Sequence, residues 1–345
     1  MKILFSRRNF LKKSAITTGM AAISPLAIAN DSTTPKIDSL KLPREVWIGG
    51  ISQMDLYTHS PQLMVDEIIL ILKNLAIYQP DIICLPEVFA TSNITQISSL
   101  KEQLEASEKA VLRFSGLAKQ YNCYIICPVY TSENGRSYNS AVVFNREGTV
   151  MGEYRKIHLT EGEIEMGLSP GPLQPPVFQT DFGKIGIQIC FDVLWDDGWS
   201  KLREQGAEIV FWPSAFAGGQ MINTKAWQHK YVVVSSTRKN TSKICDITGE
   251  VIVQTSRWDK NFFCAPVNLE KAFLHTWPYV QRFDEIKKKY GRKVRITNFQ
   301  EEEWSIIESL SPDVYVADIM NEFGLKTHEQ QTKDSEIAQI KARKG

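Results

Sequence analysis

Three side chains able to do chemistry stand beyond apolar or β-like stretches. Glu87 follows Ile83-Cys84-Leu85-Pro86. Pro86 ends the apolar run and leaves the acid at the carboxyl edge of a strand, where open α/β sheets build their sites. Cys190 ends Gly186-Ile187-Gln188-Ile189-Cys190 and precedes Phe191-Asp192, again at a strand end before a loop. Lys156 lies in Gly152-Glu153-Tyr154-Arg155-Lys156-Ile157-His158-Leu159. Taken singly, each has an ordinary explanation: a solvated acid, a solvated lysine, a buried thiol. Together they are the parts of covalent catalysis, in which a carboxylate takes a thiol proton and makes the thiolate that attacks.

The elements that must bring them together are legible as alternating short apolar runs and helical periods. Strands are predicted at 46–51, 81–85, 123–129, 184–189, 209–212 and 231–235. Within 81–85, residues 82–85 after Asp81 are wholly apolar, as expected of a strand covered on both faces. Helical spacing marks 64–77 (stopped by Pro80), 104–120, 198–205 (ended by Gly206) and 222–229. A hairpin is predicted from 140–144 and 149–154 around Asn145-Arg146-Glu147-Gly148. Strands alternating with helices argue for an α/β protein with helices on the outer faces of its sheets.

Leu85-Pro86-Glu87, Tyr154-Arg155-Lys156-Ile157-His158-Leu159 and Gly186-Ile187-Gln188-Ile189-Cys190-Phe191-Asp192 resemble, in order and spacing, the motifs of the carbon–nitrogen hydrolase (nitrilase) superfamily. Ile51-Ser52-Gln53-Met54, Tyr138-Asn139-Ser140-Ala141, Ser169-Pro170-Gly171 and Pro213-Ser214-Ala215 match as well, so the resemblance covers roughly 45–268. It implies a four-layer α-β-β-α sandwich and assigns Cys190 as nucleophile, Glu87 as proton acceptor and donor, and Lys156 as oxyanion partner. The backbone N–H of Phe191 would complete the oxyanion hole. Glu87 would then protonate the leaving amine and activate water against the thioester. The family also implies a second glutamate between Lys and Cys. Spacing to Ser169-Pro170-Gly171 favours Glu165 or Glu163 of Glu161-Gly162-Glu163-Ile164-Glu165, with Glu165 the first choice.

Departures from the pattern carry information. Cys190-Phe191-Asp192 replaces the Cys-Trp-Glu run of many nitrile-cleaving members, which favours a small linear amide or carbamoyl substrate over a nitrile. Thr224-Lys225-Ala226-Trp227-Gln228-His229-Lys230 stands where the family commonly has Arg-Ala-x-Glu-Asn, so the pocket wall differs. Acyl transfer from the same thioester and a noncatalytic binding protein are the competing readings. Two look-alike motifs fail on context. Gly167-Leu168-Ser169-Pro170-Gly171 fits G-x-S-x-G but lacks the preceding strand and following helix of a nucleophile elbow. Asn93-Ile94-Thr95 fits a glycosylation sequon but reads as a loop.

Composition narrows the partners. The formal net charge is +1, and the first 29 residues hold five of the cations and no acid, so the remainder sits at −4. That balance argues against nucleic acid or an anionic membrane surface. Arg7-Arg8 ahead of an apolar run ending Ala27-Ile28-Ala29 reads as a twin-arginine export signal over 1–29. The run is shorter than the roughly 20 residues that span a bilayer, so no stable membrane anchor is expected once it is cleaved. A linker at 30–43, the hydrolase domain at 44–270, and a helical extension with a frayed tail at 271–345 complete the expected layout. The mature protein is expected in the periplasm or secreted, and the family implies a homodimer or larger homo-oligomer. No cofactor is implied. With neither a C-x-x-C pair nor a cysteine–histidine cluster among six cysteines, no metal is expected either.

Overall fold

The computed structural model describes residues 41–96, 99–256, 258 and 261–344. The segment 1–29 read as an export signal and most of the expected linker therefore lie outside the described residues. The chain runs β1 (Glu45–Ile51), α1 (Pro61–Leu75), β2 (Ile82–Cys84), α2 (Leu100–Tyr121), β3 (Tyr124–Glu133), β4 (Arg136–Phe144) and β5 (Val150–Arg155). It continues α3 (Glu161–Glu165), β6 (Phe178–Thr180), β7 (Gly183–Ile187), α4 (Asp197–Glu204), β8 (Ile209–Ser214) and α5 (Gln220–His229). β9 (Val232–Thr237), β10 (Lys243–Cys245), β11 (Val251–Gln254) and β12 (Phe262–Asn268) follow. The last portion is β13 (Lys271–His275), α6 (Val280–Tyr290), β14 (Val294–Phe299), β15 (Trp304–Ser309), α7 (Val316–Glu322) and α8 (His328–Lys344).

Two six-stranded sheets, ordered β12-β1-β2-β3-β4-β5 and β11-β10-β9-β8-β7-β6, form the middle layers. Side-chain alternation along each strand sorts residues between two faces. Ile82 and Cys84 point between the sheets with Ile209 and Phe211, whereas Ile83 and Leu85 lie under α1 and α2, and Val210 and Trp212 under α4 and α5. The result is the expected α-β-β-α sandwich.

Local chemistry explains the helices that cover it. Ser60 caps α1 and Pro61 opens it, a position where proline loses no helical hydrogen bond. Met64, Val65, Ile68, Ile69, Leu72 and Leu75 form the buried stripe. α2 starts from a reciprocal Ser99–Glu102 capping box and ends at left-handed Asn122, burying Ala110, Phe114, Leu117 and Ala118. The two sheets are joined at the carboxyl ends of their central strands. Ser236 Oγ, at the end of β9, is 2.7 Å from both Ile51 O and Cys84 O and accepts from Ile51 N at 2.9 Å. That places the ends of β1, β2 and β9 together.

The C-terminal portion is not simply helical. β13, β15 and β14 make a three-stranded antiparallel sheet packed with α6 and α7 around Leu274, Phe283, Ile286, Ile307 and Ile319. Its strands are short β-prone segments, Lys271-Ala272-Phe273-Leu274-His275 and Trp304-Ser305-Ile306-Ile307, set between charge runs that mask them. The charge runs themselves are solvated: Lys287, Lys288 and Lys289 on α6 and the Glu301–303 turn are exposed. Among the described residues no helix is long and apolar enough to cross a membrane.

Candidate active site

Glu87, Lys156 and Cys190 meet where the two sheets end. Glu87 lies three residues beyond β2 and Lys156 immediately beyond β5, both from the first sheet, whereas Cys190 lies three residues beyond β7 of the second. All three are buried, at 2%, 2% and 7% exposure. Lys156 Nζ donates to Glu87 Oε1 at 3.1 Å. Asn139 Nδ2, on β4, donates to the same oxygen at 2.9 Å.

The backbone around the reactive groups is unusual. Cys190 has φ +46° and Val88, next to Glu87, has φ +40°, both in the left-handed region that side chains avoid. Surrounding bonds hold the cysteine turn in place. Asp192 Oδ2 accepts from Ile189 N at 2.8 Å and from Tyr154 OH at 2.6 Å, and Trp212 Nε1 donates to Cys190 O at 3.0 Å. His158 N donates to Asp192 Oδ1 at 2.8 Å, and its ring stacks on Trp195 with centroids 4.3 Å apart. Phe191 sits in the first turn of the 3-10 helix Cys190–Leu194. N–H groups at such a start have no partner within the helix, so they are the ones available to an oxyanion.

Electrostatics assign the resting protonation states. Burial resists ionisation of Glu87, but Lys156 and Arg238, with the Asn139 amide, outweigh it and hold the carboxyl below its ordinary value. Burial also opposes the Lys156 charge, yet Glu87, Cys190 and Glu163 keep the ammonium above the usual lysine value. Burial and then the Glu87 charge push the Cys190 thiol up to about 11, against the opposing pull of Lys156. At neutral pH the site therefore rests as carboxylate, ammonium and thiol.

Of the two candidates for the second glutamate, Glu163 and not the first choice Glu165 lies against Lys156. Lys156 Nζ donates to Glu163 Oε1 at 2.9 Å and Oε2 at 2.8 Å, and Asn139 Nδ2 reaches Glu163 Oε1 at 2.8 Å. Glu165 is exposed at the other end of α3. The signal was present in Thr160-Glu161-Gly162-Glu163. Thr160 caps α3, and in a capping box the third helical residue folds back toward the cap. Glu163 Oε2 accepts from Thr160 N at 2.9 Å. The same turn that starts the helix thus aims the carboxylate at Lys156.

Both look-alike motifs have structural duties. Ser169 N donates to Ser137 O and Gly171 N to Lys156 O, so that loop straps the end of β5. Asn93 Nδ2 donates to Gln53 O at 3.2 Å and Arg238 O at 3.1 Å, so its amide is used internally. All six cysteines are free thiols. Among the described residues no group of three or more His, Cys, Asp or Glu side chains gathers to hold a metal. Sequence reasoning also missed Arg238, whose Nη2 lies 3.6 Å from Glu87 Oε2.

The pattern of the family described as "Carbon-nitrogen hydrolase" matches residues 50–273. N-carbamoylputrescine amidase of Solanum tuberosum is 33% identical over 108 residues, covering 30% of this chain and 36% of that protein. Deaminated glutathione amidase of Mus musculus is 38% identical over 106 residues, covering 28% and 32% respectively. The chain thus spans about a third of the length of these curated relatives. Among solved structures, an amidase from Nesterenkonia sp. superposes with a TM-score of 0.59 at 17% identity, covering 66% of this chain and 92% of that one. The carbon–nitrogen hydrolase from Helicobacter pylori G27 gives 0.58 at 19% identity, covering 72% and 94%. These two show the shared fold. With about two thirds of its residues matched to the family pattern, the chain belongs to the carbon–nitrogen hydrolase family.

Proposed function

We propose that the protein hydrolyses the C–N bond of a small linear amide or carbamoyl compound through a Cys190 thioester. The observation that carries this reading is the buried meeting of Glu87, Lys156 and Cys190 from two different sheets. Sγ adds to the carbonyl carbon as Glu87 accepts the thiol proton, and the oxygen becomes an oxyanion beside Lys156 and the Phe191 N–H. Collapse breaks the C–N bond, and Glu87 returns the proton to the departing amine. Water, deprotonated by Glu87, then attacks the thioester and releases the acid with the free thiol. Glu163 keeps Lys156 charged and in place.

Support for amide over nitrile comes from Cys190-Phe191-Asp192 and from the amidase names of the relatives. Intact-mass spectrometry across a panel of linear amides and carbamoyl compounds provides the test. Wild type is expected to gain the mass of an acyl group with at least one of them, and Cys190→Ala none. Full turnover by Cys190→Ala would sink the nucleophile assignment, and no adduct from any panel member would favour a binding protein.

We place the reaction outside the cytoplasm, on the strength of Arg7-Arg8 before the apolar run. Replacing both arginines by lysine is expected to retain the protein inside spheroplasts on cell fractionation. Unchanged release with the periplasmic fraction would refute twin-arginine export.

A further inference from the structure

Arg238 stands one residue beyond β9, on the second sheet, yet it is tied to the loop that carries Glu87 on the first. Its N–H donates to Ser214 O at 2.8 Å and its carbonyl accepts from Asn93 Nδ2 at 3.1 Å. Nη1 donates to Ser92 Oγ at 2.7 Å, and Ser92 Oγ donates in turn to Val88 O at 3.0 Å. Held this way, Nη2 faces Glu87 Oε2 at 3.6 Å. Glu87 Oε1 is already taken by Lys156 and Asn139, whereas Oε2 accepts no hydrogen bond among the described residues. Each oxygen of the carboxylate therefore has its own cation, one from each sheet.

We propose that Arg238 is a positioning residue for the proposed base. It holds Glu87 ionised from the opposite sheet and so sets the lower pH limit at which Cys190 is activated. This rests on Glu87 being that base.

The charge count around Glu87 supports the assignment. Lys156 faces it from the end of β5, Arg238 from the end of β9 and the Cys190 thiol from beyond β7. Glu163 of α3 shares both Lys156 and Asn139 with it. Among the described residues Tyr130 of β3 is a further titratable neighbour, its phenol pushed up to about 12 by burial and then by the Glu87 charge. With Arg238 present, two cations serve two carboxylates. Without it, one ammonium serves both, and a carboxylate takes up a proton at higher pH.

The test uses the full-length protein and iodoacetamide as probe. The rate of Cys190 alkylation is followed by peptide mass mapping between pH 3.5 and 8. Wild type is expected to show an acid limb set by Glu87. Arg238→Gln is expected to move that limb up by about one pH unit, the low end for removing an opposite charge at this range. Arg238→Lys, which keeps the charge, is expected to bring it back to within about 0.3 units of wild type, a fraction of that shift. An unmoved limb in Arg238→Gln overturns the proposal, as does a lysine variant that behaves like the glutamine one. If Arg238→Gln does not fold, Ser92→Ala releases the guanidinium while retaining its charge, and an unmoved limb there counts equally against the idea. Glu87→Gln separates the two layers of the reading. If it keeps the wild-type acid limb, the base assignment fails, whatever Arg238 does.

Discussion

Glu87→Gln is expected to lower turnover of the acylating amide by about 10³-fold, within the range for losing a general acid–base group. The substitution keeps the shape of the side chain and an oxygen able to accept from Lys156 and Asn139. It removes only the site that takes and returns a proton. Thiol acidity alone cannot restore the rate. The Glu87 charge is second only to burial in holding the Cys190 thiol up, so the thiol becomes more acidic in the variant. Burial still holds the thiol protonated, attack loses its proton acceptor, the departing amine receives no proton, and the C–N bond is harder to break. Stopped-flow single-turnover kinetics with mass detection would show the split, with slow product release and no compensating gain. A loss of less than tenfold would remove Glu87 from the proton-transfer role.

Glu163→Gln is expected to cost about 10²-fold in kcat, the scale of a weakened oxyanion partner, and Glu165→Gln less than twofold. Glu163 contacts Lys156 through both oxygens and shares Asn139 with Glu87, whereas Glu165 faces solvent. Neutralising Glu163 leaves the ammonium with Glu87 as its remaining carboxylate partner, which draws it away from the carbonyl it must meet. Thr160→Ala gives an intermediate case. It removes the hydroxyl of the cap while keeping the Glu163 charge, so a loss of a fewfold is expected, the kinetic counterpart of about 1 kcal/mol for a lost cap. Steady-state kinetics of the three variants, with thermal melts to verify folding, would order them. Equal losses at 163 and 165 would refute the geometric assignment.

What could be read in advance follows from how locally each feature is encoded. The two sheets were legible because strand segments such as 82–85 and 209–212 are apolar on both faces, and helices such as α1 carry unbroken 3.6-residue stripes. Cys190, Glu87 and Lys156 were legible because each ends or follows a strand within a recognisable run. Strand ends were less sharp. β3 and β4 extend to a tight Asn134-Gly135 turn with both residues at positive φ, a hairpin signal that was present in the dipeptide itself. The C-terminal sheet was hidden because β13 and β15 are only five and six residues long and lie between charged stretches. Arg238 is a different case. Its role depends on Ser92 and Glu87, about 150 residues earlier, and no local spacing encodes that meeting.

Sheet order also bears on when, during synthesis, the molecule can become reactive. β1 has β12 as its outer neighbour, with Ile51 opposite Phe262 and Glu45 opposite Asn268. The first strand made thus waits for one of the last strands of the sandwich before its edge is covered. A growing chain that has passed Lys156 holds Glu87 and Lys156 without Cys190. One that has passed Cys190 still lacks β8 and β9, and with them Trp212, Ser236 and Arg238, which fix the cysteine turn, join the sheets and face the carboxylate. The Cys190 thiol therefore gains these neighbours only when β8 and β9 have joined the sandwich.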